Sequence, residues 1–166
     1  MTQARDIADS NFTSIGGIQL GGTGSANLLD DYTEDTFTPV LSDASSGGNL
    51  SSTSASAANY TKIGRIVFFH VRFSNIDTTG MTSANQLHMQ GLPFTAVASE
   101  NLPCSVWMQS VTGLETDILS IAARIMNGTT ALRFEEMTKS GIDSEFNVND
   151  VSSGATDVEV AGFYFV

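Results

Sequence analysis

The segment Ile66–Phe73, with the sequence IVFFHVRF, constrains the fold more than any other part of this chain. It mixes β-branched and aromatic residues, which favour strands, and its apolar side chains occupy both odd and even positions. Successive side chains of a strand point to opposite faces, so Phe68 and Phe69 must lie on different sides of a sheet. One of them can enter the core of the domain, and the other needs a second cover. The segment therefore predicts a layered β-fold in which a neighbouring subunit supplies part of the cover.

Other apolar runs are spaced like the strands of an antiparallel fold. Residues 119–125, 130–134 and 158–166 are predicted strands, and Asn127-Gly128 is a strong signal for a hairpin between the first two. In the last run, alternate residues Ala161, Phe163 and Phe165 share one face. Turn-rich stretches at 42–56, 77–85 and 139–144 separate the runs, and no segment keeps a helical period. We predict an all-β fold, an antiparallel β-sandwich of the jelly-roll kind.

Length and composition predict one domain with a short extension. The chain has 166 residues, enough for a single core, and 41% of them are hydrophobic while only 15% are charged. Few charges leave Ser, Thr, Asn and Gly to cover much of the polar surface. This composition suits turn-rich β-structure and surfaces that neighbouring subunits cover.

The charge balance excludes several classes of partner. With 18 acidic against 7 basic residues, the net charge is −11, which repels nucleic acids and anionic membranes. No apolar stretch is long enough to span a bilayer or to form a signal peptide at the start of the chain. A single cysteine, Cys104, excludes a disulfide framework within the chain and is predicted to be a buried thiol.

The first part of the chain is predicted to be an attachment arm, residues 1–34, in front of a β-sandwich domain, residues 35–166. Five glycines between positions 15 and 24 make a lone helix or strand costly, so the segment needs a partner surface to become ordered. A mobile terminus is the alternative interpretation. If the arm docks on another protein, the side chains that we expect to make the contact are Arg5, Ile7, Ile15, Ile18 and Leu20.

The sequence gives little support to catalysis. His70 and His88 are far apart in predicted strands, and the common nucleophile, zinc and phosphate motifs do not occur. The acidic cluster Asp30, Asp31, Glu34 and Asp35 is interpreted as capping, turn and surface residues rather than a glycoside-cleaving pair. The alternating oxygen-bearing side chains between 143 and 150 do not meet the requirements of a calcium loop. We predict no enzyme activity, cofactor or metal, and we expect Trp107 to be a core residue.

Two segments carry a family resemblance. Residues 21–41 have the sequence GGTGSANLLDDYTEDTFTPVL, residues 59–73 have NYTKIGRIVFFHVRF, and GLPF follows at 91–94. They resemble the patterns GTGxANxLDDYEEGTWTPxL and YTKIGRxVxF of bacteriophage tail-fibre and virion appendage proteins. The first segment departs from its pattern at Thr33, at Asp35 where glycine is usual, and at Phe37 where tryptophan is usual.

The resemblance implies a virion protein that is made in the host cytoplasm and forms a homotrimer. It implies an arm that binds other virion proteins of the tail or capsid, and a β-domain that points outward and binds the host surface. The trimer interface is then expected around Phe68, Phe69 and His70. A head-decoration protein, such as a capsid fibre or cement protein, is the first alternative, and a glycan-cleaving tailspike is the second. The polar loops at 42–56 and 77–85 are the expected contacts for a host glycan.

Overall fold

The computed structural model describes residues 18–19, 28–29, 31–99, 101–114, 116–141 and 143–166. No α-helix occurs among these residues, and none of their helical segments could cross a membrane. The described strands are β1 (Ile18–Gln19), β2 (Leu28–Leu29), β3 (Tyr32–Thr36), β4 (Val40–Ser42), β5 (Ala57–Ile63), β6 (Ile66–Phe73), β7 (His88–Gln90), β8 (Leu102–Gln109), β9 (Ile118–Ile125), β10 (Ala131–Thr138), β11 (Asp143–Glu145) and β12 (Asp157–Phe165).

The strands from β3 onward form one ten-stranded antiparallel sheet within the described part of the chain. Its order is β3-β5-β6-β12-β8-β9-β10-β7-β4, and β11 pairs with β10. Strand β8 belongs to both halves, because residues 102–104 pair with β9 while residues 105–109 pair with β12. We call β3, β5, β6, β12 and the end of β8 the first sheet, and the start of β8 with β9, β10, β7 and β4 the second sheet. The predicted all-β antiparallel fold is confirmed.

The sheet curls until its two ends meet. Strands β3 and β4 lie at opposite ends of the strand order, yet only residues 37–39 separate them in the chain. A link of this length spans at most about 14 Å. The edge of the first sheet therefore lies beside the edge of the second, and the inner surfaces of the two sheets face each other.

A single apolar core fills the space between the sheets. Strand β6 shows the principle, because Val67, Phe69, Val71 and Phe73 are buried while the residues between them point outward. Burial of each large side chain contributes roughly 1.5–3 kcal/mol. The largest side chains that are wholly buried are Tyr164, Phe73, Phe134, Phe146, Leu41, Ile76, Leu87, Met89, Ile125 and Leu132.

The predicted hairpin at Asn127-Gly128 joins β9 to β10. The backbone N–H of Thr129 donates to the carbonyl of Met126 over 3.3 Å. Of the two central residues, only Gly128 has a positive φ, +68°, so this is not the mirror-image type I′ turn that requires positive φ at both. Glycine is required at the second position because other residues rarely adopt this backbone conformation.

The strand boundaries agree closely with the sequence interpretation in three places. Strand β6 has the predicted bounds, while β9 and β12 each begin one residue earlier than expected. Strand β10 is longer than the predicted run 130–134, since it continues to Thr138. The first sheet begins with Tyr32, three residues before the proposed domain boundary at 35.

Candidate functional site

The outer surface of the first sheet carries a continuous row of aromatic side chains. Phe68 on β6 and Phe163 on β12 are direct cross-strand partners, and they remain 47% and 46% exposed. Their ring centroids are 6.1 Å apart, and the ring of Phe163 also meets Phe165 edge-on at 6.1 Å. Aromatic pairs of this kind contribute about 0.5–1.5 kcal/mol beyond the burial of their area. Because about half of each ring is exposed, another molecule could still bury the row of aromatic side chains.

The apolar surface continues toward the edge of the first sheet. Ile66 on β6 pairs with Ile63 on β5, and Ile63 pairs with Tyr32 on β3. Ile63 and Tyr32 are both exposed. We name this outer surface the aromatic face, and its members are Tyr32, Ile63, Ile66, Phe68, Phe163 and Phe165.

Charged and polar groups border the aromatic face along the same strands. The imidazole Nε2 of His70 lies 2.6 Å from Oε1 of Glu159, and the guanidinium of Arg72 lies 3.6 Å from the carboxylate of Asp157. Trp107 on β8 pairs with Glu159 and is 50% exposed, so its expected place in the core is wrong. The neighbours Val106 and Met108 take the inward positions of β8, which leaves the outward position to the indole.

The three residues expected at a subunit interface divide between the two sides of β6. Phe68 and His70 point outward and belong to the aromatic face and its polar border. Phe69 is only 4% exposed and lies in the core, where its ring meets Tyr164 edge-on at 6.0 Å. Of the three, Phe68 and His70 therefore remain available for contact with another molecule.

The residues expected to attach the arm are almost all outside the described part of the chain. Arg5, Ile7, Ile15 and Leu20 lie there. Ile18 is described as part of β1, where it pairs with Leu29 of β2 in an antiparallel register. The prediction of particle attachment through these side chains stays a prediction.

The outer surface of the second sheet carries a row of charged and polar side chains, with Met137 exposed beyond them on β10. Arg133 on β10 pairs with Arg124 on β9 and with His88 on β7, so that three basic side chains form one row across the strands. The buried carboxylate of Glu135 serves both arginines, 2.7 Å from Nε of Arg133 and 3.8 Å from a terminal nitrogen of Arg124. Burial lowers the pKa of His88, whose Nδ1 lies 2.9 Å from the carbonyl of Gln86. We name this outer surface the polar face.

Hydrogen bonds to the carboxylates of Asp43 and Asp77 hold two long loops together. Asp43 accepts hydrogen bonds from the backbone N–H groups of Thr82 and Asn49, at 2.8 and 2.7 Å. Asp77 accepts from the hydroxyl of Ser52 at 2.8 Å, and its own N–H donates to Thr53 Oγ1 at 2.7 Å. Hydrogen bonds lower the pKa of both carboxyls to about 2, chiefly the bond from the N–H of Thr82 to Asp43 and the bonds from Thr79 to Asp77. The loops at 43–56 and 74–86 are thereby held in one arrangement.

A groove of about 440 Å³ opens beside the first of these loops. Its walls are residues 36–40, which link β3 to β4, and residues 51–59, which lead into β5. None of the residues that line the groove is charged. The half-buried ring of Phe37 supplies apolar surface, and most of the polar residues that line the groove are serines and threonines.

The acidic cluster of the entry segment has local roles where it is described. Asp31 forms an ion pair with Lys62 of β5, and the hydroxyl of Tyr32 donates to Glu34 at 2.6 Å. The side chain of Asp35 accepts the N–H of Thr36. Within the described residues, no group of three His, Cys, Asp or Glu side chains could hold a metal ion. Burial raises the pKa of the partly buried Cys104 thiol to about 12, which makes it a poor nucleophile.

The two segments of the family resemblance form one structural unit. Strand β3 comes from the first segment and β5 from the second, and they pair in register from Tyr32 opposite Ile63 to Thr36 opposite Asn59. The carbonyl of Asp31 accepts the N–H of Gly64 at 2.7 Å, in the turn between β5 and β6. Searches with the sequence match this chain to no family model and to no curated protein.

Sequence reasoning identified Phe68 but not its partners on the aromatic face. The alternation in 158–166 already assigned Phe163 and Phe165 to one side of a strand, which was the available signal. Their position beside Phe68 depends on the pairing of β12 with β6, and no local pattern encodes that pairing.

Proposed function

We propose that this chain is a structural protein of a bacteriophage virion, a trimeric tail-fibre or short appendage module with a jelly-roll-like β-domain. Its N-terminal arm attaches it to the particle, and its β-domain binds the surface of the host cell. The aromatic face is the observation that carries the proposal. A contiguous row of aromatic and aliphatic side chains on an outer sheet surface is typical of a surface that another molecule covers.

The aromatic face has the composition of a subunit interface. Interface cores are enriched in aromatic residues and depleted in charge, and a few such residues supply most of the binding energy. Phe68 and Phe163 are the central members, and the contact between His70 Nε2 and Glu159 Oε1 lies at the rim. A copy of the same chain is always present at synthesis, so it is the simplest molecule to cover the aromatic face. The family resemblance implies an assembly of three copies.

A capsid-mounted decoration protein is the second candidate. From Tyr32 onward the described residues fold into one curled sheet, and the described part of the chain includes no repetitive shaft, which is the form of a knob or a tip rather than a long fibre. The same aromatic face would serve subunit contacts in either setting. The position of the protein on the particle separates the two candidates.

Two measurements test the proposal. Light scattering on the purified chain should give the mass of three subunits, and labelled antibodies against the chain should mark a tail structure on virions of the phage that encodes it. A stable monomer at micromolar concentration would contradict the assembly. Labels on the capsid would favour the decoration protein.

Deletion of residues 1–24 tests the arm. We expect the truncated chain to fold and to form trimers, because the described sheet begins only at Tyr32. It should no longer join virions. Failure to fold would contradict the division into an arm and a domain.

A further inference from the structure

We propose that the groove between residues 36–40 and 51–59 is a binding site for a neutral oligosaccharide. The inference rests on the proposed function, because it names the site and the ligand class through which the β-domain would hold a cell surface. The groove is distinct from the aromatic face and leaves it free for subunit contacts.

The size and shape of the groove suit a sugar chain. Its volume of about 440 Å³ falls within the range of small-molecule sites. The site is open along one side, and its walls belong to the edge of the first sheet and to a loop. A linear oligosaccharide can therefore enter sideways, with its ends left in solvent.

Some polar side chains of the groove form hydrogen bonds that fix the loop, and others have no hydrogen-bond partner among the described residues. Ser51 and Ser52 donate to Asp77, and Thr53 accepts from its N–H, so these hydroxyls fix the loop. Among the described residues, none is a hydrogen-bond partner for the side chains of Thr36, Thr38, Ser54 and Asn59, which also line the groove. Those side chains can donate to and accept from the hydroxyls of a ligand without breaking a bond of the protein.

The loop wall is fixed in advance of binding. Besides the bonds to Asp77, the hydroxyl and the N–H of Ser56 both donate to the carbonyl of Arg72 on β6, at 3.1 and 2.7 Å. A wall that is already ordered loses little conformational freedom when a ligand binds. Weak hydrogen bonds from a few hydroxyls can then suffice, particularly when three copies act together.

Charge selects a neutral ligand. A carboxylate-bearing sugar would meet no basic side chain in the groove, on a chain whose net charge is −11. Acidic groups lie beside the groove: the carboxylate of Asp77 accepts from Ser52, and Glu34 and Asp35 lie on the adjoining surface of β3 with Thr36 and Asn59. A purely apolar ligand would bury the free hydroxyls without partners, which is unfavourable. Phe37 is half-buried against Tyr60, and the part of its ring that stays exposed offers apolar surface for the C–H groups of a neutral sugar ring.

The test uses the full chain on an array that carries neutral hexose and N-acetylhexosamine oligosaccharides beside sialylated and uronate-containing ones at equal density. We expect retention on neutral oligosaccharides only. The best neutral oligosaccharide is then titrated against variants. Ser54→Trp, which fills the groove, should weaken binding at least about tenfold. Thr38→Val, which removes one hydroxyl, should weaken it about fivefold.

Thr130→Val is the matched control, because Thr130 is an exposed threonine outside the groove. The affinity of Thr130→Val for the neutral oligosaccharide should match that of the unmodified chain. Retention on acidic oligosaccharides only, no retention at all, or neutral binding that Ser54→Trp leaves intact would each overturn the inference. Light scattering on the same samples reads the assembly separately: a monomer contradicts the proposed trimer, while the titration still reports on the groove.

Discussion

The polar face and the aromatic face are both outer surfaces of antiparallel sheets, and they differ in chemistry. On the polar face, Arg124 and Arg133 share the buried carboxylate of Glu135, and water can solvate what remains exposed. On the aromatic face, Phe68 and Phe163 meet each other across the strands and have no polar partner. The charged groups of the polar face have partners within the chain, although Met137 on the same face is exposed. The aromatic face is complete only when something covers it.

The comparison also shows how one strand can serve two purposes. Strand β6 buries Phe69 in the core and presents Phe68 outside, so two adjacent residues of the same type experience different environments. A substitution at either position reports on its own side of the sheet. Matched substitutions on the two faces can therefore test whether the faces differ as described.

The largest effect is expected from Phe69→Ala compared with Phe68→Ala. Removing the buried ring should lower the free energy of unfolding by about 3–5 kcal/mol, because it leaves a cavity against Tyr164. Removing the exposed ring should change it by less than about 1 kcal/mol when the subunits are separated. Urea unfolding at low protein concentration measures both values. Equal losses would show that the two sides of β6 are not distinct.

Phe68→Asp should weaken the assembly, and Ser120→Asp should not. A charge placed in the covered aromatic face has no partner, and we expect the dissociation constant to rise about 100-fold. Ser120 is an exposed residue of β9 in the second sheet, where an added charge remains in water. Light scattering over a dilution series gives the two constants. If both variants stay trimeric, the aromatic face is not the subunit interface.

Glu135→Gln should destabilise the subunit without changing its assembly. The substitution removes the negative charge that serves Arg124 and Arg133, and we expect a loss of roughly 1–3 kcal/mol in the free energy of unfolding. Glu34→Gln, on the exposed strand β3, should cost less than about 0.5 kcal/mol. Thermal and urea unfolding measure both. A change of oligomeric state in Glu135→Gln would mean that the polar face is also an interface.

The smallest effect concerns acid and the loop carboxylates. The hydrogen bonds to Asp43 lower its pKa to about 2 from an ordinary value of 3.8, so they stabilise the folded state above that ordinary value. The contribution should disappear as the pH falls from about 4 to about 2. In Asp43→Asn, the free energy of unfolding should vary less with pH over this window than in the unmodified chain. Identical slopes would show that Asp43 does not brace the loops.

Local sequence signals predicted much of the fold and only part of the site. The apolar residues on both faces of β6, and the shared face of Phe163 and Phe165, were evident because strand alternation is a local rule. The contact of Phe68 with Phe163 could not be predicted in this way, because β6 and β12 are about ninety residues apart in the chain. Trp107 was misassigned for a related reason, since Val106 and Met108 could equally have pointed outward.

The acidic entry segment shows a second limit of local reasoning. Tyr32 and its neighbours were assigned to the arm because of the glycines before them, yet they form the edge strand of the first sheet. The groove could not be foreseen either. It depends on a short link between two distant ends of one sheet and on loop hydroxyls that Asp77 orders, and neither feature has a sequence motif.

The position of β12 has a consequence for synthesis. This strand follows every other described strand, yet it lies in the middle of the first sheet, between β6 and β8. Until residues 157–165 have left the ribosome, β6 and β8 lack the hydrogen-bonding partner between them, and the nascent chain exposes open strand edges that can pair wrongly. Phe163 and Phe165 arrive on the same strand, so the aromatic face is completed at the moment the sheet closes. A chain without β12 therefore presents only part of the aromatic face, because Phe163 and Phe165 are missing from it.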